Sequence, residues 1–306
     1  MPGRVFVTGG SGFVGSHILK ELANRGFQAN ALVHRGSLPA SGSVNVVQGD
    51  LFAPPVLDSG LRGCDAVIHL VGIIMEKPSK GVTFERIHFE GTRAVVDAAK
   101  RNGIRRYIQM SALGTRPNAV STYHQTKWKA EEYLRASGLD WTILRPSLIH
   151  GPGGFMTMEA KWARKSAPPF LVMPYFGKGL LGTGGAGLLQ PVFVDDVSRA
   201  FVDAIENPST IHKTYDLAGS DRLTWPELHH LTARAVVGHS RLAAPLPAWL
   251  AKALANVGLG PLLGFSRDQV IMSQENNTGD TEPFICDFGW TPRGFDQSLR
   301  EYASHL

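Results

Sequence analysis

At 306 residues, 43% of them hydrophobic and 19% charged, the chain is long enough to bury a large core, and its composition is that of a globular protein rather than a disordered one. Its formal charge of +5 comes from basic residues dispersed among acids, as in Lys127-Trp-Lys-Ala-Glu-Glu-Tyr-Leu-Arg135, a solvated helical face and not a nucleic-acid footprint. Two cysteines, Cys64 and Cys286, build no disulfide framework, the histidines show no zinc spacing, and no metal site is expected; with Met1 running straight into Arg4-Val-Phe-Val-Thr8, no export segment is expected either, so the sequence predicts a cytoplasmic protein.

The first predicted element is a strand ending at Thr8, followed by Gly9-Gly-Ser-Gly-Phe-Val-Gly15 and a helix whose apolar face runs through Ile18, Leu19, Leu22 and Ala23. Gly9, Gly12 and Gly15 fall three apart at this strand-to-helix turn. There a side chain would obstruct the tight turn, the approach of a pyrophosphate to the backbone, and the packing of helix on strand. The phosphates would rest on the helix N-terminus, whose free N–H groups and dipole favour anions. Strands are predicted over 28–34, 44–48, 66–69, 106–111 and 141–145, separated by helical patterns such as 85–100 and 121–136. This alternation predicts an α/β fold, a doubly wound parallel-sheet Rossmann domain with ligands at the carboxyl edge of its strands.

After Gly151 the pattern breaks into loops, through Pro152-Gly-Gly154, Pro168-Pro169 and Gly182-Thr-Gly-Gly-Ala-Gly187. A helix over 192–205 and a strand over 214–218 look set to return to the main sheet. The predicted division is therefore a dinucleotide-binding domain over 1–150, rejoined by 192–218, and a small substrate or cap domain over 151–191 and 219–306, with helices near 225–237 and 247–257. The stretch 242–265 carries a single charge, Lys252; its prolines and glycines argue against a spanning helix, and a buried cap core is favoured over a helix lying on a membrane or a partner. Trp162, Phe170, Met173, Tyr175 and Phe176 are candidates to line an apolar or lipid-like substrate.

Two further patterns carry chemistry. Beyond the second strand the chain reads Leu32-Val33-His34-Arg35-Gly36-Ser37, with no carboxylate to hold the ribose 2′-OH of NAD(H); Arg35, helped by His34 and Ser37, suits a 2′-phosphate, so NADP(H) is favoured over NAD(H). In Ser121-Thr-Tyr-His-Gln-Thr-Lys-Trp128, Tyr123 and Lys127 lie four apart, on one face of a helix, where an ammonium would hold the phenol closer to its phenolate and make it a usable general acid.

With these motifs in place the sequence resembles the short-chain dehydrogenase/reductase superfamily, in its extended and atypical branches. The resemblance rests on Thr8-Gly-Gly-Ser-Gly-Phe-Val-Gly15, Gly49-Asp50-Leu51, Gly91-Thr92, Met110-Ser111-Ala112, Tyr123-x-x-x-Lys127, Arg145-Pro146-Ser147 with Gly151-Pro152, and Gln190-Pro191-Val192 with Val194-Asp-Asp-Val197, in order as far as about residue 218. The stretches Ile87-His-Phe-Glu-Gly-Thr92, Ser111-Ala-Leu-Gly114 and Gly138-Leu-Asp-Trp-Thr-Ile-Leu-Arg-Pro146 look most like the nucleotide-binding accessory subunit of respiratory complex I and its free-standing bacterial relatives.

The resemblance implies catalytic roles for Ser111, Tyr123 and Lys127. Tyr123 would move the proton at a carbonyl or alcohol while hydride passes to or from the nicotinamide, Lys127 would lower the tyrosine pKa and bind the nicotinamide ribose, and Ser111 would orient the substrate oxygen. It implies cofactor contacts from Gly9, Ser11, Gly12, Phe13, Val14 and Gly15 at the turn, His34, Arg35, Asp50 and Leu51 at the adenosine end, and Leu70, Val71, Gly72, Lys127, Pro146 and Ser147 along the remainder, with Asp50 at the adenine. One departure stands out: many extended members have asparagine where this chain has His88, which could still carry protons but puts the usual relay in doubt.

Three functions stay open on the sequence. The leading one is an NADP(H)-dependent oxidoreductase acting on a small carbonyl or alcohol substrate. The second is a cofactor-holding subunit that docks on a respiratory complex and turns over nothing, and the third is a nucleotide-sugar epimerase or dehydratase, disfavoured by the missing acidic residue. Peripheral association with a membrane or a respiratory complex stays open, as does a homodimer; no nucleic-acid partner is expected.

Overall fold

Val5, Phe6, Val7 and Thr8 are all buried, so β1 (Arg4–Thr8) is covered on both faces, as a strand in the middle of a parallel sheet must be. The computed structural model describes residues 3–38 and 42–306. From β1 the chain continues through α1 (Phe13–Asn24), β2 (Gln28–Val33), β3 (Val44–Gln48), α2 (Pro54–Leu61), β4 (Ala66–His69), α3 (Gly91–Arg101), β5 (Arg106–Met110), α4 (Thr122–Arg135) and β6 (Asp140–Pro146). It goes on through β7 (Ile149–His150), α5 (Met156–Ala163), β8 (Met173–Gly177), β9 (Val192–Phe193), α6 (Val194–Glu206) and β10 (Lys213–Leu217). The last elements are α7 (Trp225–Val237), β11 (Ala243–Pro247), α8 (Ala248–Asn256), α9 (Arg267–Ser273), α10 (Glu282–Phe288) and α11 (Phe295–Tyr302).

The main sheet has seven strands in the order β3-β2-β1-β4-β5-β6-β10, with parallel pairing from β3 to β6. The strand order reverses between β1 and β4, and in such a sheet the crevice at that point is where a ligand binds. One core layer joins Phe6, Val67, Tyr107 and Ile143 of the strands to Leu57 and Leu61 of α2, Val95 and Val96 of α3, and Leu134 of α4. Each such side chain contributes roughly 1.5–3 kcal/mol by leaving water, which fixes those helices against the sheet.

The chain divides into two compact units: Met1–Pro146 with Val194–Asp216 and Thr281–Trp290, and Ser147–Phe193 with Leu217–Asp280 and Thr291–Leu306. The first differs from the sequence division in claiming 281–290, because Phe284 and Phe288 of α10 close over Tyr215, and Asp287 accepts from Tyr215 Oη at 2.6 Å. The predicted helix over 192–205 also starts differently: Val192 and Phe193 pair with Ile149 and His150 as a separate two-stranded ribbon before α6 begins. In the second unit β8 and β11 form a parallel ribbon, and Phe176 stands edge-on to Phe265 at 5.2 Å. The helix predicted over 85–100 is continuous in direction, but Glu85–Glu90 is wound as a wider π-helix that runs into α3. Such wide turns recur at functional sites, and this one carries His88.

Candidate active site

The turn after β1 places its three glycines for three different reasons. Gly9 has φ +76, and any Cβ there would stand 3.3 Å from the backbone of Leu70 and Val71 at the end of β4. A Cβ on Gly15 would lie 2.7 Å from the Gly10 Cα and run into the Gly9 carbonyl, so helix and turn pack this closely only without a side chain. Gly12 donates its N–H to Gly9 O at 3.0 Å and caps α1 in an extended conformation with no side-chain cap. Ser11 and Gly12 are exposed, and no acid stands in the first turn of α1. Unsatisfied N–H groups and a positive dipole end therefore face outward beside half-buried Phe13 and Val14, as a pyrophosphate requires.

Behind the turn, Thr8 Oγ1 and His69 Nδ1 share a 2.6 Å hydrogen bond that ties the ends of β1 and β4 together. Burial lowers the His69 pKa to about 3, so the ring is neutral. Leu70 is buried, Val71 half-buried and Gly72 exposed, making a graded wall beside the turn. At the far end of the crevice His34, Arg35 and Ser37 are exposed after β2, and Asp50 lies 3.9 Å from His34 Nε2 while accepting the Phe52 N–H at 3.0 Å. Among the described residues Arg35 has no hydrogen-bond or ion-pair partner. Leu51 is core, under Gly91.

Helix α4 begins at Ser121, whose hydroxyl accepts the His124 N–H, and it presents Tyr123, Lys127 and Glu131 at successive four-residue steps. The Tyr123 ring is fixed by three edge-to-face contacts, with Phe84 at 5.7 Å, His88 at 5.1 Å and His124 at 5.1 Å. Its hydroxyl has no partner among the described residues. Lys127 is 3% exposed and donates from Nζ to Met110 O at 3.1 Å, at the carboxyl end of β5. A Cβ on exposed Gly72 would fall 3.2 Å from that Nζ and 3.7 Å from His88 Nε2, so the bare glycine leaves the ammonium and the imidazole open on one side. The structure thus brings Tyr123, Lys127 and His88 together near Gly72.

Several expectations need correction. Tyr123 is not drawn towards phenolate: burial pushes its pKa up to about 12, and burial brings Lys127 down to about 8, the Glu131 carboxylate opposing that fall. His88 carries no proton charge, because burial, with Lys127 adding repulsion, puts its pKa at about 2. Its Nδ1 shares a 3.0 Å hydrogen bond with Thr126 Oγ1, and its Nε2 meets the Ile73 backbone at 3.1 Å, so it serves as a neutral brace for Tyr123 and the loop after β4. Ser111, expected to orient a substrate oxygen, has its hydroxyl engaged within the protein. Its hydroxyl donates to Glu131 Oε1 at 2.5 Å, in a buried cluster where Arg145 grips the same carboxylate with two hydrogen bonds and Arg135 with a third. Ser147 is likewise committed, donating to Gln190 O at 2.6 Å within the second unit, and Pro146 ends β6 as a buried residue.

Glu131 is the residue that the sequence reading missed. Its signal was present as the next four-residue step after Tyr123 and Lys127, with Arg135 one step further, but a fully buried carboxylate on a charged helix reads as a solvated ion pair until the sheet is in place. In the second unit the predicted substrate lining is divided, Trp162, Met173 and Tyr175 lying near one another while Phe170 and Phe176 do not join them. Phe170 is 54% exposed, Met173 is buried, and Phe176 packs on Phe265. Trp162 and Tyr175 both stand 6.4 Å from the ring of His229, which is buried and hydrogen-bonded to Glu159 at 2.8 Å.

A family described as NAD(P)H-binding matches residues 9–157. The chain is 35% identical over 243 residues to a ceramide reductase of Caulobacter vibrioides, covering 78% of this chain and 73% of that protein. It is 31% identical to the mitochondrial NADH dehydrogenase [ubiquinone] 1 alpha subcomplex subunit 9 of Arabidopsis thaliana, covering 81% of this chain but only 61% of that subunit. A UDP-glucose 4-epimerase from Thermotoga maritima, solved with UDP-glucose, superposes over 99% of this chain and 98% of its own with a TM-score of 0.76 at 18% identity, a likeness of fold. The chain belongs to the extended short-chain dehydrogenase/reductase superfamily, a class of NAD(P)-dependent oxidoreductases and epimerases.

Proposed function

We propose that the protein is an NADPH-dependent reductase of a carbonyl group on an apolar, lipid-like molecule. The observation that carries this reading is the placement of Tyr123, a phenol with no hydrogen-bond partner among the described residues and a buried ammonium on the same helix face. That phenol carries the proton that carbonyl reduction needs, and burial, which raises its pKa to about 12, is a cost that bound cofactor and substrate have to offset for it to act as an acid. When bound, the nicotinamide supplies the hydride. Lys127 holds the ribose, His88 and Phe84 keep the tyrosine ring in place, and the Gly9–Gly15 turn receives the pyrophosphate. The guanidinium of Arg35, without a partner among the described residues, supports NADP(H) over NAD(H), and the relative named a ceramide reductase supports a lipid-like substrate.

The commitment of Ser111 to Glu131 favours a second reading, in which the protein holds its cofactor as a structural subunit, as its similarity to the complex I subunit suggests. Steady-state oxidation of NADPH with a panel of long-chain ketones separates the two: measurable turnover supports the reductase, and none with any ketone supports the subunit. On cofactor choice, NADPH should bind at least tenfold more tightly than NADH, and Arg35→Ala should remove most of that difference, read by nicotinamide fluorescence. Equal affinities in the unsubstituted protein would leave Arg35 without a role.

A further inference from the structure

The stretch expected to form a buried cap core does so in part, through Ala248, Ala251 and Phe265 with Leu246 and Leu254 packed against them, and in part forms a surface. Trp249 is 54% exposed, and Leu180, Leu181, Val257 and Leu262 are between 71% and 81% exposed, with Leu259 at 43% and Leu263 at 60%. Leu180, Leu181 and Trp249 come together for a topological reason. Because β8 and β11 pair in parallel, with Gly177 opposite Pro247, the loop leaving β8 and the helix α8 leaving β11 emerge from the same end of the ribbon. Trp249 Nε1 donates to Leu180 O at 3.0 Å, which fixes the leucine pair beside the indole. Gly179 and Gly182 flank that pair at φ +84 and +77, so the loop turns sharply and pushes both leucines outward.

In sequence the charges near Leu180, Leu181 and Trp249 are basic, and Asp268 is the acid that follows the 257–263 segment. Neither 160–190 nor 238–267 contains an aspartate or glutamate, while Lys178 precedes the leucine pair and Lys252 follows Trp249 by three residues, on the same side of α8. Protein–protein interfaces usually close with a polar rim of mixed character. Leucines projecting from a tight loop beside an exposed tryptophan, with Lys178 and Lys252 next to them, instead match the layered chemistry of a bilayer whose acyl boundary accepts apolar side chains and whose headgroups are negative.

We infer that this edge of the second unit binds the surface of a bilayer containing anionic phospholipid. The inference does not depend on the proposed reductase activity, since it rests on residues of the second unit alone. The test is sedimentation of the full chain with vesicles of phosphatidylcholine, with and without about one-third phosphatidylglycerol. Binding should be at least tenfold stronger to the anionic vesicles and weaken with salt. The pair Leu180→Asp and Leu181→Asp should abolish it while leaving NADPH affinity and melting temperature unchanged, and Lys178→Ala or Lys252→Ala should each weaken it by about fivefold. Failure to bind either vesicle would overturn the inference, as would equal binding by the double aspartate variant. So would a concentration-dependent dimer in light scattering that the same variant dissolves, since a second copy of the chain would then cover this edge.

Discussion

Lys127 is an ammonium almost without solvent whose recorded hydrogen bond is to the Met110 carbonyl, and its two protonation states have opposite consequences for binding and for stability. Its pKa near 8 means that the charge needed to hold a ribose is present below that pH and lost above it. NADPH affinity should therefore fall as pH rises through about 8, by up to roughly tenfold per unit, with no acid limb from His88 or His69, whose pKa values lie at about 2 and 3. Stability moves the other way. The unfolded lysine titrates near 10.5 and the folded one near 8, so between those values the unfolded chain holds more protons and this group makes the fold more stable as pH rises. Lys127→Met should remove both dependences and weaken NADPH binding. Calorimetric titration and thermal melts across pH 7–10 check the pair; an affinity flat across that range would mean that the ammonium does not touch the cofactor. None of this was legible at the residue scale in the sequence. The Tyr123–Lys127 spacing gave the helix face correctly, but the direction of both pKa shifts depends on burial, which reverses what a charge pair alone would do.

At the scale of elements, the turn between β1 and α1 makes a distinction that the glycine spacing could not. A side chain on Gly15 would run into the turn itself, whereas one on Gly12 would stand 3.3 Å from a single carbonyl oxygen, at an ordinary φ of −80. Gly15→Val should therefore lower the melting temperature by roughly 10 °C through overpacking, while Gly12→Val should melt within a few degrees of the parent yet lose more than about tenfold in cofactor affinity. If Gly12→Val binds NADPH normally, the phosphates lie away from this turn. Buried strands such as β2, β4 and β5 were readable because continuous apolar runs between glycine and proline signals have few other interpretations. The short ribbon of β7 with β9 was not, since two-residue strands leave no periodicity. Nor was the exposure of Trp249, Val257 and Leu262 within 242–265: apolar composition says that side chains avoid water, not whether the fold supplies anything to cover them.

On the scale of the whole molecule, a Rossmann unit and a loop-rich second unit follow from the order of their elements, and among the described residues no helix is long and apolar enough to cross a membrane. What the fold leaves undecided is chemistry, because the same architecture serves reductases, epimerases and proteins that only hold a nucleotide. That choice rests on one phenol. The measurement that tests it most directly is single-turnover oxidation of bound NADPH by long-chain ketones, with the parent protein and Tyr123→Phe compared side by side at matched cofactor occupancy. The proton-donor assignment predicts that the variant binds NADPH as tightly but oxidises it roughly a hundredfold or more slowly with every ketone that the parent accepts. Equal rates in the two proteins would contradict it, and would leave Tyr123 as the aromatic lid of a nucleotide-holding subunit.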